Sequence, residues 1–199
     1  AHEQHGPHLP FDTDSLIAAG IVARLKAAIP AASPVTFLPT ETVGYSIEHM
    51  DVKGTQTLTY GEAIQRWLGI ARRLSDMGIR KLVMLNAHGG NSPLMTIVAT
   101  EARVRFNMLA VATSWTRFGV PADVISPEAK AIDIHGGDIE TSVMLALDPR
   151  WNVLDLVAGA VDKVGGVFAG LMKRAMPVVI GFLADQVGLG DVGRELGKA

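Results

Sequence analysis

The stretch Gly78-Ile79-Arg80-Lys81-Leu82-Val83-Met84-Leu85-Asn86-Ala87-His88-Gly89-Gly90-Asn91-Ser92-Pro93 decides how this chain folds. Ile79 to Leu85 is a nearly continuous apolar run and reads as a buried strand. The residues before it are helical in pattern. Thr59 and Glu62 make a capping box, Ile64, Leu68, Ala71 and Leu74 mark one helical face, and Gly78 has the position of a left-handed C-cap. After it, Ser92 and Pro93 supply an N-cap and an N1 proline for a helix from Leu94 to about Phe106, and Met108 to Ser114 reads as a further buried strand. This alternation is the pattern of a parallel α/β sheet whose strands are buried on both faces. Ligands bind such sheets beyond the carboxyl ends of the strands, where His88, Gly89 and Gly90 stand. The paired glycines admit positive φ and close approach of the backbone to a ligand. The same turn, with its histidine, also arises without any chemistry.

Upstream, Ser15 to Ile29 carries Ile17, Ile21, Val22, Leu25 and Ile29 at helical spacing and is stopped by Pro30, so it is predicted to be an amphipathic helix. Val35 to Leu38 reads as a short buried strand, followed by a loop from Pro39 to Thr57. That loop holds Tyr45, Glu48 and His49. On a strand the adjacent Glu48 and His49 would face opposite ways, so they are not expected to serve one site together. His49 fits a pocket role or a polar surface loop. At the start of the chain, Glu3 and His5 project to one side if the segment is extended, and the breakers Gly6, Pro7 and Pro10 allow Asp14 to return beside them as a helix begins. Carboxylate, imidazole and carboxylate suit zinc, manganese or iron, and they equally suit caps and turns.

Downstream, Trp115 stands at a strand's carboxyl end, where it either walls a pocket or simply packs. Val120 to Ala131 is predicted to be a proline-punctuated loop or short helix. His135-Gly136-Gly137-Asp138-Ile139-Glu140-Thr141-Ser142 is a second polar cluster ahead of an apolar helix, Val143 to Leu147. Asp138 and Glu140 there complement the helix dipole without any metal, while Glu140 could also fill a coordination position. Val153 to Met172 is expected to be helical, Val178 to Phe182 a last strand.

Composition bounds the rest. With 199 residues and 48% hydrophobic content, one α/β domain spanning 1–199 is expected. A net charge of −2 gives no footprint for nucleic acid or an anionic membrane surface, so a small, roughly neutral substrate is the expected partner. There is no cysteine, hence no disulfide framework and no thiolate metal site, and a cytoplasmic location is expected. The apolar region Val153 to Ala184 is broken by five charges, too many for a membrane span.

The blocks EQHGPHLPFDTD (Glu3 to Asp14), YSIEHMDVKGTQTL (Tyr45 to Leu58), LNAHGGNS (Leu85 to Ser92) and HGGDIETSVMLAL (His135 to Leu147) together resemble the creatininase (creatinine amidohydrolase) family. The resemblance implies a three-layer α/β/α sandwich with a mostly parallel sheet, a homohexameric assembly, and hydrolysis of an amide C–N bond by metal-activated water. Substrates implied are non-peptide amides, such as creatinine or a formamide; a peptide-cleaving member acting in mycofactocin maturation is the alternative. The implied ligands for one or two ions of zinc, manganese or iron are Glu3, His5, Asp14, His88 and Glu140, with Asp14 as bridge. The resemblance implies His135 as acid/base over the substrate; with it, Glu140 is taken as a catalytic group, and Trp115, Gly89, Gly90 and His49, read from their own positions, are the expected substrate contacts. One departure stands out: creatininase proper has a glutamate ligand where this chain has Gly90. The family also carries a strand before the first block and a longer tail. Outside catalysis, the chain would be a metal-stabilised assembly subunit; a phosphate-binding reading lacks the Walker lysine.

Overall fold

The computed structural model describes residues 1–119 and 125–148, all within one compact unit, Ala1–Trp151. The helix and strand expected at Val153 to Met172 and Val178 to Phe182 lie outside the described residues, as do residues 120–124 of the expected proline-punctuated segment.

The order of elements follows the reading of the central stretch. Helix α1 spans Thr13–Ala28, α2 Tyr60–Asp76, strand β1 Lys81–Asn86, α3 Ser92–Phe106, β2 Leu109–Ser114, α4 Pro127–Ile132 and α5 Asp138–Leu147. The α2 capping box forms as predicted: Thr59 Oγ1 accepts from Glu62 N, while the Glu62 carboxylate accepts from Thr59 N at 2.8 Å. At the other end Gly78 is left-handed with φ +85°, and Ile79 N reaches back to Leu74 O. At α3 the expected cap is corrected. Ser92 lies inside the helix and Asn91 takes the N-cap position, but its side chain accepts from Tyr45 N at 2.9 Å instead of capping. That hydrogen bond ties the 45–49 turn to the carboxyl end of β1.

Strands β1 and β2 pair in parallel, from Lys81 opposite Leu109 to Asn86 opposite Ser114. Alternation puts Leu82, Met84, Ala110 and Ala112 on one face, packed against α2 and α3 through Ala63, Trp67, Ala71, Met95, Val98 and Ala102. The prediction that both faces are buried is corrected. Among the described residues, Val83 is 66% exposed and Leu109 62% exposed on the opposite face. The predicted strand Val35 to Leu38 is also absent. Pro34 and Pro39 bracket it and remove backbone donors, no neighbouring strand pairs with it, and Val35 and Leu38 are exposed.

A second core sits at the carboxyl ends of the strands. Leu9, Ile17 and Met144 are buried there, with Ile21, Val143 and Leu147 from α1 and α5, and with Ala87 and Trp115, which follow β1 and β2. Helix α1 is less amphipathic than predicted: Ile17 alone of its predicted apolar face is fully buried, and Leu25 is exposed. No helix of the described residues is long and apolar enough to cross a membrane.

Candidate metal centre

The opening segment is held extended by two backbone hydrogen bonds, Glu3 N to Phe11 O and Gln56 N to His2 O, both 2.9 Å. Thr13 Oγ1 donates to Pro10 O, and α1 begins there, so Asp14 stands in its first turn. The result is a buried group of charged side chains: Glu3, His5, Asp14 and His88 are all nearly or fully withdrawn from solvent.

Each histidine is aimed by a backbone carbonyl. His5 Nδ1 donates to Glu3 O at 3.0 Å, leaving Nε2 3.3 Å from Asp14 Oδ1 and 4.0 Å from Glu140 Oε1. His88 Nε2 donates to Tyr45 O at 2.8 Å, leaving Nδ1 3.0 Å from Glu3 Oε1 and 3.2 Å from Asp14 Oδ2. These tautomers follow from the hydrogen-bond network. The two oxygens of Asp14 thus face two different histidines. Glu3, Asp14 and His88 form one set of ligand-type atoms within 4.8 Å of one another, and His5, Asp14 and Glu140 form another.

These spacings can be tested against what an ion needs. Metal–ligand bonds of about 2.0–2.1 Å in tetrahedral geometry put neighbouring donor atoms roughly 3.3 Å apart, and the 3.0–3.3 Å separations above match. The polar accounting agrees: Glu3 Oε1, Glu3 Oε2 and Asp14 Oδ2 are buried yet accept no hydrogen bond of acceptable geometry among the described residues. Such orphaned acceptors are costly unless a cation meets them. The residues present fit a pair of divalent ions.

Electrostatics in the metal-free chain show the same concentration of charge. Burial opposes ionisation of Asp14, but His5 and His88 outweigh it and hold the carboxyl far below its usual range. Burial likewise opposes the charge on Glu3, and contact with His88 nonetheless brings its carboxyl below the ordinary value. For His88, burial disfavours the imidazolium, yet Asp14 and Glu3 push its pKa up to about 10. His5 is raised in the same way, burial being overcome by Asp14.

The segment before α5 closes the site. Gly136, at φ +62°, lies so near the His5 backbone that a Cβ would come within 2.9 Å of the His5 carbonyl carbon. Its N–H donates to Glu140 Oε2 at 2.6 Å, turning that carboxylate inward. Asp133, which the sequence did not single out, supplies an acceptor for Ile139 N at 2.7 Å at the start of α5. His8 Nε2 and Thr141 Oγ1, 2.8 Å apart, tie the opening loop to the same helix. His135 Nε2 donates to Gln4 O at 2.5 Å, and its ring lies between those of His5 and His49, each centroid 4.3 Å away. Its Nδ1 is 3.9 Å from Glu3 Oε1.

Of the sequence-derived candidates, Glu3, His5, Asp14, His88, Glu140, His135 and His49 come together. Trp115 packs against the Leu9, Ile17 and Met144 core. Neither Gly89 nor Gly90 has the positive φ expected for it; a Cβ on Gly90 would meet neighbouring atoms, whereas one on Gly89 would meet nothing. The separation predicted for Glu48 and His49 is also corrected. They lie on a single 3₁₀ turn, Ile47–His49, not on a strand, and ligand atoms of Glu3, Glu48 and His49 fall within 4.8 Å of one another. The turn has no hydrophobic periodicity to reveal it.

With this geometry described, comparison with known proteins is informative. A family model described as creatinine amidohydrolase matches residues 1–169. The mycofactocin precursor peptide peptidase of Mycolicibacterium smegmatis is 31% identical over 188 residues, covering 92% of this chain and 70% of that protein. A mutant creatininase superposes with a TM-score of 0.66 at 28% identity, over 76% of this chain and 63% of the other. A further creatininase mutant, of Zn–Zn type, gives a TM-score of 0.60 at 27% identity with the same coverage. The chain therefore spans about 63% of the length of these creatininase structures. The fold is α/β with a parallel sheet, like theirs, and the chain belongs to the creatininase family.

Proposed function

We propose that this protein hydrolyses an amide C–N bond with divalent metal ions held by Glu3, Asp14 and His88 on one side and by His5, Asp14 and Glu140 on the other. Asp14 carries the reading. Its two oxygens address two histidines from different loops, at ligand-to-ligand spacing and in a buried setting that is costly without cations. The imidazole and carboxylate donors suit zinc or manganese, and a similar creatininase is of Zn–Zn type. When bound, the ions lower the pKa of water towards ~7 and polarise the amide carbonyl.

The chain's own residues do the rest. Hydrogen bonds to Glu3 O and Tyr45 O keep His5 and His88 aimed, the arrangement that orients ligating histidines generally. With Nε2–H held by Gln4 O, His135 keeps Nδ1 for the site, where it takes a proton from the attacking water and passes it to the departing nitrogen. An amide nitrogen leaves poorly unprotonated, so this proton transfer is required. Gly89 and Gly90 offer backbone donors to the developing oxyanion, and His49 a polar contact to substrate.

The substrate is proposed to be a non-peptide amide, cyclic or formylated. A peptide is the second reading, favoured by the similarity to the mycofactocin precursor peptide peptidase over 92% of this chain. Elemental analysis of the full chain purified without chelator tests the centre, followed by assays on creatinine, N-formyl amines and short peptides. About two equivalents of metal with hydrolysis of one class supports the proposal. Absence of metal even after add-back overturns it, and bound metal without turnover of any class favours the assembly subunit.

A further inference from the structure

Gly90 follows the strand-end histidine by two residues and lies in the 3₁₀ turn Gly89–Asn91. A Cβ built on it would stand 2.5 Å from Glu48 Oε1, 2.6 Å from His88 Nε2 and 2.6 Å from Tyr45 O. A side chain at this position would collide with the Tyr45 carbonyl and the His88 ring, as well as with Glu48 where it now stands. Glu48 belongs to the turn Ile47–His49, whose tight pitch swings both Glu48 and His49 towards Glu3. Its side chain is 41% exposed, accepts no hydrogen bond among the described residues, and has His88 Nε2 as its nearest charged partner at 3.5 Å. Facing it is Glu3, fully buried, with both carboxylate oxygens lacking a donor. His49 Nε2 lies 3.8 Å from Glu3 Oε1.

We propose that Glu48 is a metal-facing carboxylate of this centre, supplied from the 45–49 turn in place of one from the turn after β1, where the Tyr45 carbonyl and the His88 ring leave residue 90 no room for a side chain. The inference rests on the metal reading above. It adds a third donor set, Glu3, Glu48 and His49, at the open edge of the site, where a half-exposed carboxylate can meet an ion and give way when substrate arrives. Glu140 and Glu48 then approach the centre from opposite segments of the chain, and no carboxylate is needed from the turn after β1.

Calorimetric titration of zinc into the metal-free full chain separates the possibilities, using wild type, Glu48→Gln and Glu48→Ala. Glu48→Gln is expected to weaken one binding event by about tenfold to a hundredfold, the range known for groups that support a metal centre, while leaving the melting temperature of the metal-free protein unchanged. Glu48→Ala is expected to weaken the same event at least as much, since it removes the oxygen donor altogether. Wild-type affinity and stoichiometry in Glu48→Gln overturn the inference and leave the proposed function standing. Wild-type affinity in Glu48→Ala also overturns it. Wild-type protein that takes up no zinc overturns the proposed function itself, and this inference with it.

Discussion

The sheet layer and the loop cluster at its carboxyl edge are built on opposite terms. Around β1, β2, α2 and α3, apolar side chains meet apolar side chains, and the two ends of α2 are closed by the capping box at Thr59 and the left-handed Gly78. Around Glu3 and Asp14, three carboxylate oxygens are buried without a hydrogen bond of acceptable geometry, the His88 ring being the charged group set against them at 3.0–3.2 Å. The first region closes one face of the sheet with its own residues, Val83 and Leu109 on the other face being exposed. The second is assembled from four segments of the chain and keeps acceptors that only cations would satisfy. A fold can tolerate this when the scaffold next to the site is stable by itself and the cost is confined to loops.

The sharpest way to break the comparison is Asp14→Asn. One residue serves both donor sets, so the substitution is expected to reduce bound metal below one equivalent and activity roughly 10⁴-fold, the loss of several kcal/mol of metal-derived stabilisation. Elemental analysis alongside the assay checks it. If Asp14→Asn retains two ions, the bridging role is wrong.

His135→Ala comes next. It is expected to lower turnover about 10²-fold to 10³-fold with metal content intact, because a general acid is lost and no ligand. Metal lost together with activity would move His135 into the ligand set, beside Glu3 and His5.

On the scaffold side, Val98 is fully buried between α3 and the sheet. Val98→Ala is expected to cost about 2 kcal/mol in chemical denaturation while zinc stoichiometry stays at the wild-type value. Loss of metal in that variant would show that the two regions are not independent.

The smallest effect is a slope. In the metal-free chain His88 has a pKa raised to about 10, so it carries a proton at neutral pH. Stability from its pairing with Glu3 and Asp14 is fully present below ~6.5 and is lost as pH rises through about 10. A metal must displace that proton, so affinity is expected to rise about tenfold per pH unit below 10. Zinc titrations at two pH values between 6 and 8 read the slope. A flat response would mean that His88 is neutral in the metal-free protein.

Much of this architecture is legible in the residues. The capping box, the proline and glycine stops and the apolar runs before His88 and Trp115 are local signals, set by neighbours within one or two turns, and their elements form close to where they are expected. Val35 to Leu38 shows the limit: an apolar tetrapeptide reads as a strand, but a strand needs a partner and free N–H groups, and its flanking prolines remove them. Val83 and Leu109 show another, because the burial of a strand's second face depends on what is laid over it. Within the site, Glu3, His5 and Asp14 could be grouped by spacing alone. Glu48 could not, since its direction is set by a 3₁₀ turn that leaves no periodic trace.

The sequence by itself determined the class of fold, the family, and the supply of imidazole and carboxylate groups, because these follow from local pattern and residue chemistry. Tertiary packing settles which oxygen of Asp14 faces which histidine, which carbonyl aims each ring, and what a side chain on residue 90 would strike. Those facts depend on contacts between segments far apart in the chain, such as Tyr45 with His88 and Gly136 with His5, and on the space left between them. Packing of this kind is settled in three dimensions at the scale of single atoms, where a Cβ on residue 90 would stand 2.6 Å from the Tyr45 carbonyl oxygen.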